Sequence, residues 1–238
     1  MATRRSYTMK KIGLIGGITW QSTQLYYQLL NTMVAEELGG QSSCHCIIES
    51  VNFAEFSKKQ AAGDWDALHK EMTNIALRLQ DAGAEIIVIC ANTMHLSAQI
   101  MKKSLTVPVL HIVEVIGKAI QAKGCKKVLL LGTRYTMEMD FFKDILRGQF
   151  GIEALVPNKN DRVTVHNIIY NELAKGMIKD ESRKKYVDII KKGENEGAQA
   201  VILGCTEIPL LISQADCDIP AFDTTKEHAK AAVEFALG

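Results

Sequence analysis

The chain has 238 residues, 47% of them hydrophobic, enough to bury one substantial core or two small ones. Lys and Arg number 28 against 27 Asp and Glu, a formal charge of +1, so no global field recruits nucleic acid or an anionic membrane, and a small-molecule ligand is expected. No apolar run approaches bilayer-spanning length and the N-terminus lacks the apolar core of a secretory signal, so a cytoplasmic protein is expected.

Met1 to Thr8, with Arg4 and Arg5, reads as a short disordered arm. Ile12 to Ile15 is predicted to be a buried strand running into Gly16-Gly17, where glycines let the backbone turn tightly beside a ligand. The pattern is neither G-x-G-x-x-G nor a Walker motif, so no nucleotide site is read from it. Leu25, Tyr26, Leu29, Leu30, Met33 and Val34 make one face of a helix that stops at Gly39-Gly40. Cys46 to Phe53 is the next predicted strand and Ser57 to Gly63 a polar loop. That loop carries Gln60, either a solvated side chain or a specificity residue. Asp64 caps a helix with the buried stripe Leu68, Met72, Ile75, Ala76 and Leu79. Ile86 to Cys90 is a near-continuous apolar strand, as parallel sheets require. Asn92 and Thr93 follow it, and either cap the next helix or hold a substrate carboxylate.

Val107 to His111 is another predicted strand, followed by an amphipathic helix with Val113, Ile116 and Ile120. Val128 to Leu131 ends at Gly132-Thr133-Arg134-Tyr135-Thr136-Met137. The hydroxyls of Thr133 and Thr136 and the Arg134 guanidinium suit an acidic ligand, although Arg134 also reads as a solvated loop charge. Ile152 to Val156 is a strand closed by Pro157, and Asn158 to Arg162 a polar loop. Helices follow with stripes Val165, Ile168, Ile169, Leu173 and Tyr186, Ile189, Ile190, and Lys191 to Gly197 is a solvated charged end. The strand from Val201 breaks at Gly204-Cys205-Thr206-Glu207. A helix start there leaves the N–H groups of Thr206, Glu207 and Ile208 beside the sulfur and biases it toward thiolate, whereas the plain alternative is a small apolar plug. Ile219 to Phe222 is the last strand, and Thr224 caps a terminal helix with Ala231, Ala232 and Phe235.

The six cysteines, Cys44, Cys46, Cys90, Cys125, Cys205 and Cys217, are scattered and read as free thiols. Cys44-His45-Cys46 lies in an extended run whose alternate side chains face opposite sides, and no second ligand pair exists, so no metal site is expected. An internal repeat organises the rest. Residues 10–16 match 126–132, 83–93 match 197–207, and 107–111 match 219–223, with Ala91 opposite Cys205 and Cys90 opposite Gly204. Alternating strands and helices with this repeat predict an α/β fold of two pseudo-symmetric parallel-sheet lobes with the active site in the cleft between them. The first lobe is expected over 10–112 plus 217–238 and the second over 113–216.

Gly16-Gly17-x-x-Trp20, Asn92-Thr93-Met94-His95, Leu131-Gly132-Thr133-x-x-Thr136-Met137, Gly204-Cys205-Thr206-Glu207 and Phe222-Asp223-Thr224 resemble the cofactor-independent aspartate/glutamate racemase family, in particular the bacterial broad type, from about Lys10 to the C-terminus. The resemblance implies an isomerase that interconverts enantiomers of aspartate or glutamate without pyridoxal phosphate or metal, usually as a homodimer. One thiolate takes the α-proton and a thiol on the other lobe serves the opposite face, and Cys205 holds the second-lobe position. The resemblance places Gln60, Asn92, Thr93 and Thr206 on the substrate carboxylates, with Met94, Thr133, Thr136 and Glu207 in the same motifs. The family has Cys or sometimes Thr where this chain has Ala91, which carries no exchangeable proton. Water, Thr93, His95 and Glu207 are the candidates to replace it, since strand alternation turns Cys90 to the other face. A decarboxylase with a single cysteine, of the same superfamily, and a dicarboxylate-binding protein without turnover are the alternatives.

Overall fold

A computed structural model of the chain describes residues 9–238; the expected arm over residues 1–8 lies outside the described residues. The strands are β1 (Ile12–Gly16), β2 (Cys46–Ser50), β3 (Ile86–Ile89), β4 (Val109–Leu110), β5 (Lys127–Gly132), β6 (Glu153–Leu155), β7 (Ala200–Gly204) and β8 (Ala221–Asp223). The helices are α1 (Trp20–Leu38), α2 (Phe53–Ala62), α3 (Trp65–Asp81), α4 (Ala98–Met101), α5 (Ile112–Ala122), α6 (Arg134–Glu138), α7 (Phe141–Phe150), α8 (Lys159–Asn171), α9 (Asp180–Asn195) and α10 (Thr224–Leu237). Among the described residues no helix is long and apolar enough to cross a membrane.

The strands form two four-stranded sheets, ordered β2-β1-β3-β4 and β6-β5-β7-β8, and every pairing is parallel. The second order is the first with β1, β3 and β4 replaced by their partners β5, β7 and β8 in the internal repeat, and β6 in the place of β2. Central strands covered on both faces must be apolar throughout, which is why β1, β3 and β7 read as uninterrupted hydrophobic runs and are buried along their whole length.

The chain divides into two compact units: the chain up to His111 with His228–Gly238, and Ile112–Glu227. In the first, Ile12, Leu14, Ile86 and Val88 face α1 and the end of α10 through Tyr26, Leu30, Val34, Ala232 and Val233. The alternate residues Ile15, Ile87 and Ile89 pack on α2, α3 and α4 through Phe56, Leu68, Met72 and Met101. In the second, Leu129, Leu131, Val201 and Leu203 face α8 and α9, while Val128, Leu130, Ala200 and Ile202 face α5 and α7. The boundary expected at 217 falls elsewhere. β8 pairs with β7 through Val201↔Ala221, Ile202↔Phe222 and Leu203↔Asp223, and Phe222 is buried in the second unit's core, so residues 217–227 fold with the second unit.

Three local expectations are corrected. Residues 57–62 are helical, within α2, because the Asn52 side chain accepts from Ala54 N–H and Gly63 closes the helix at φ +71°; Gln60 is therefore a half-buried helical residue. Residues 159–162 open α8, whose N-cap Asn158 accepts from the N–H groups of Asn160 and Asp161. The first turn of α10 is capped by Asp223, whose Oδ1 accepts from Thr225 and Lys226 N–H at 2.9 and 3.1 Å. Thr224 instead donates its hydroxyl to the Leu203 carbonyl at 2.9 Å.

Candidate active site

Strand alternation sets which side chains stand at the carboxyl ends of β3 and β7. In the second unit Val201 and Leu203 point toward α8 and α9, and Cys205 packs on that same face. In the first unit Ile87 and Ile89 point toward α2 and α3, and Ala91 packs with them. Ala91 and Cys205 are thus equivalent positions of equivalent strands. Cys90 faces the opposite way, fully buried among Ile86, Val88 and Tyr26, and burial pushes its thiol pKa up. It is a core thiol.

β7 ends at Gly204, where a Cβ would stand 2.7 Å from the Leu131 carbonyl oxygen; only glycine fits there, and Cys205 follows it onto a short 3-10 stretch, Ile208–Leu210. The half-buried Cys205 donates its Sγ–H to Glu207 Oε2 at 2.8 Å, and the Thr206 hydroxyl donates to the same oxygen at 2.7 Å. The expected thiolate bias is overturned. The N–H groups of Thr206 and Glu207 do reach the sulfur and lower its pKa, but burial, then the Glu207 charge and the hydrogen bond to it, raise it well above the ordinary thiol value. Cys205 rests as a thiol. Thr206 and Glu207 are 7% and 8% exposed, so the pair is shielded from bulk water.

β5 ends beside it, with Gly132 paired to Gly204. Thr133 caps α6 by accepting from Thr136 N–H, and the two hydroxyls lie 3.3 Å apart. Thr136 is fully buried, so it braces this turn from inside. Arg134 directs Nη2 to the Tyr135 hydroxyl at 2.8 Å and its backbone N–H to His166 Nδ1 at 3.3 Å. Arg162 is occupied by Glu138 Oε1 at 2.9 Å and the Pro157 carbonyl at 2.8 Å. Two tyrosines that the sequence did not connect with the site, Tyr170 and the stripe residue Tyr186, share the cluster on which Cys205 packs. Tyr170 packs on the same cluster as Cys205, and its hydroxyl is pushed up to about 12, chiefly by burial. Tyr186 is buried and donates to the Val165 carbonyl at 3.3 Å, and burial pushes its hydroxyl up. The signal for Tyr170 was its place beside Val165 and Ile169 on the buried stripe of α8.

In the first unit Asn92 and Thr93 are 6% and 8% exposed. They open a 3-10 stretch, Thr93–Ser97, and Asn92 makes no side-chain cap. Met94 is 2% exposed and belongs to the core under β3. His95 donates from Nδ1 to the Ala91 carbonyl at 2.9 Å, and burial pulls its pKa down to about 4. A neutral imidazole with its proton committed to a carbonyl is no acid for the missing position. Glu207, another candidate, is bound to Cys205 itself.

The family model described as Asp/Glu/Hydantoin racemase matches residues 15–232. The broad specificity amino-acid racemase RacX of Bacillus subtilis is 24% identical over 178 residues, 73% of this chain and 74% of RacX. A glutamate racemase of Carnobacterium is 29% identical over 143 residues, and there the match spans only 50% of the relative's length. Among solved structures, a candidate Asp/Glu racemase from Yersinia pestis superposes with a TM-score of 0.92 at 45% identity, covering 97% of this chain and 100% of that one. An aspartate racemase homologue from Pyrococcus horikoshii gives 0.83 at 39% identity, covering 96% and 99%.

Proposed function

The chain belongs to the Asp/Glu/hydantoin racemase family, and from that premise we propose that it acts on aspartate or glutamate, moving the proton on Cα with Cys205 and with no cofactor. The observation that carries this reading is the Cys205 thiol hydrogen-bonded to Glu207 Oε2 at 2.8 Å, at the strand end where parallel sheets bind ligands. The resting thiol donates its proton to a Cα carbanion. In the reverse sense Glu207 accepts the thiol proton as the sulfur becomes a base. The raised pKa of the thiol narrows its mismatch with a weakly acidic α-proton, which favours general acid–base transfer.

Asn92, Thr93, Gln60 and Thr206 are assigned to the substrate carboxylates, with Thr133 adding a hydroxyl. Met94 and Thr136, both buried, act by holding their turns. Ala91 supplies no proton for the opposite face of Cα, which is left to water or the Thr93 hydroxyl. Absence of a positioned acid typically costs about 10²–10⁴ in rate, so inversion is slow and proton exchange outruns it. A cytoplasmic homodimer is part of the same proposal, the dimer being checked by light scattering.

Incubating each enantiomer in D₂O is the test. Deuterium is expected at Cα of aspartate or glutamate, with incorporation falling about 10²–10⁴-fold in Cys205→Ala; an unchanged rate in that variant would sink the assignment. The single sulfur left by Ala91 also suits a decarboxylation, which needs one proton donor. Carbon dioxide release from a substituted malonate, with no exchange on aspartate, would favour that reading. Calorimetric binding of the dicarboxylate with neither reaction would favour a binding protein.

A further inference from the structure

A second pair of sulfurs lies away from Cys205, where the chain enters the edge strand β2. Cys44 and Cys46 are two residues apart in extended chain and face the same side: both pack on the core under α1, Cys44 within it and Cys46 at its margin. The backbone around them is fixed from three directions. Cys44 N–H donates to Asn31 Oδ1 at 3.0 Å, His45 N–H to Met9 Sδ at 3.2 Å, and Ile12 N–H to the His45 carbonyl at 2.9 Å. The two thiols are near enough for each to be the leading influence on the other's protonation.

We propose that Cys46 is the reactive thiol of this chain and Cys44 its resolving partner, a dithiol site that a hydroperoxide oxidises to a Cys44–Cys46 disulfide. The asymmetry of the pair supports the order of attack. Cys46 is half-buried on an edge strand, and the neighbouring Cys44 thiol lowers its pKa to about 7. Cys44 is buried, and Cys46 together with burial keeps it protonated. A half-exposed, acid-shifted thiol beside a second thiol is the arrangement that redox-responsive cysteines share. The other cysteines differ: Cys205 is held as a thiol by burial and Glu207, Cys90 and Cys125 are buried, and burial pushes Cys217 up to about 11.

In the first step the Cys46 thiolate attacks the terminal oxygen of the hydroperoxide, cleaving the O–O bond to give a sulfenic acid and an alkoxide, or hydroxide where the oxidant is hydrogen peroxide. In the second, Cys44 sulfur attacks the sulfenic sulfur, the S–O bond breaks, and the Cys44 proton leaves with the hydroxyl as water. Residues two apart in extended chain have Cα atoms about 6.6 Å apart, at the upper end of the range of about 4.4–6.8 Å that a disulfide spans. Cys44 precedes the hydrogen-bonded part of β2, so it can draw in without unpairing the strand.

The test is native-state alkylation of the wild-type chain with iodoacetamide at neutral pH, mapped by mass spectrometry, and then the same mapping after hydrogen peroxide. Cys46 is expected to react at least about tenfold faster than Cys205, in keeping with its larger thiolate fraction. Peroxide is expected to give a peptide lacking two hydrogens that links Cys44 to Cys46 and reopens with reductant. In Cys44→Ala, dimedone is expected to trap the sulfenic acid at Cys46. Labelling of Cys205 ahead of Cys46, or both thiols surviving peroxide in the wild type, would overturn the proposal.

Discussion

At Cys205 two backbone N–H groups and one carboxylate compete for the same sulfur. The sequence displays the amides, because any turn after a strand exposes N–H groups, and from them a thiolate follows. What it does not display is that the Glu207 side chain folds back to within 2.8 Å of Sγ, so that burial and a like charge outweigh the amides. The same short reach joins the proposed base to its proton store. The first unit's counterpart is Ala91, and replacing its methyl with a sulfur is the direct probe. Ala91→Cys is expected to raise the rate of inversion of aspartate or glutamate by about 10²–10⁴ in both directions, the worth of a positioned general acid. Polarimetry or chiral chromatography reads it, and a variant no faster than the parent would remove Ala91 as the limiting position.

The elements that position these residues were legible wherever periodicity is strong. β1, β3, β5 and β7, and the buried stripes of α3, α8 and α9, stand where the apolar spacing puts them. The misses lie in the polar second half of α2 and at the polar start of α8, where charged and amide side chains mimic a loop. Asn52 and Asn158 are the caps that turn those stretches into helix, and an asparagine signals a turn and a helix start equally well. Strand ends carry a different constraint. Gly204 is needed because a Cβ would sit 2.7 Å from the Leu131 carbonyl oxygen, backbone that cannot rotate away. Gly204→Ala is expected to destabilise the chain by roughly 1–3 kcal/mol, the usual cost of overpacking, and to displace Cys205. Urea denaturation gives the first effect and the Cα exchange rate the second; full stability and full exchange together would show that the strand end has slack.

Across the molecule the two units repeat one sheet order, and Ala91 and Cys205 follow their strands with the same parity. The first unit differs in holding three buried histidines. His95 lies 5.1 Å from His111 and 5.2 Å from His228 by ring centroid. His228 donates from Nε2 to the Leu110 carbonyl at 3.1 Å and accepts at Nδ1 from Tyr26 at 2.8 Å. Burial is the main cause holding all three pKa values down, His95 to about 4 from 6.5. A depressed pKa means the folded state resists a proton that the unfolded chain takes up. No penalty exists above pH 6.5; as pH falls from there toward about 4, each histidine removes up to about 1.4 kcal/mol per pH unit. Denaturation at pH 7, 6 and 5 is expected to show a steep loss of stability below pH 6.5, in a window above the range where paired carboxylates titrate. A flat profile between pH 7 and 5 would mean that the cluster opens to water.

The sequence by itself determined the α/β class, the repeat, the strand on which the sulfur sits and the residues around it, because strand alternation and apolar runs are local properties that the chain writes in order. It also determined that Ala91 stands opposite Cys205, since register within a repeat is a matter of counting. Tertiary structure decided what counting cannot reach. It set the protonation state of Cys205 through the fold of one turn and placed Tyr170 beside it from a distant helix. It committed His95 to the Ala91 carbonyl, and it gave β8 to the second sheet. Each of these depends on which groups exclude water from which others, and that is fixed only when remote segments pack.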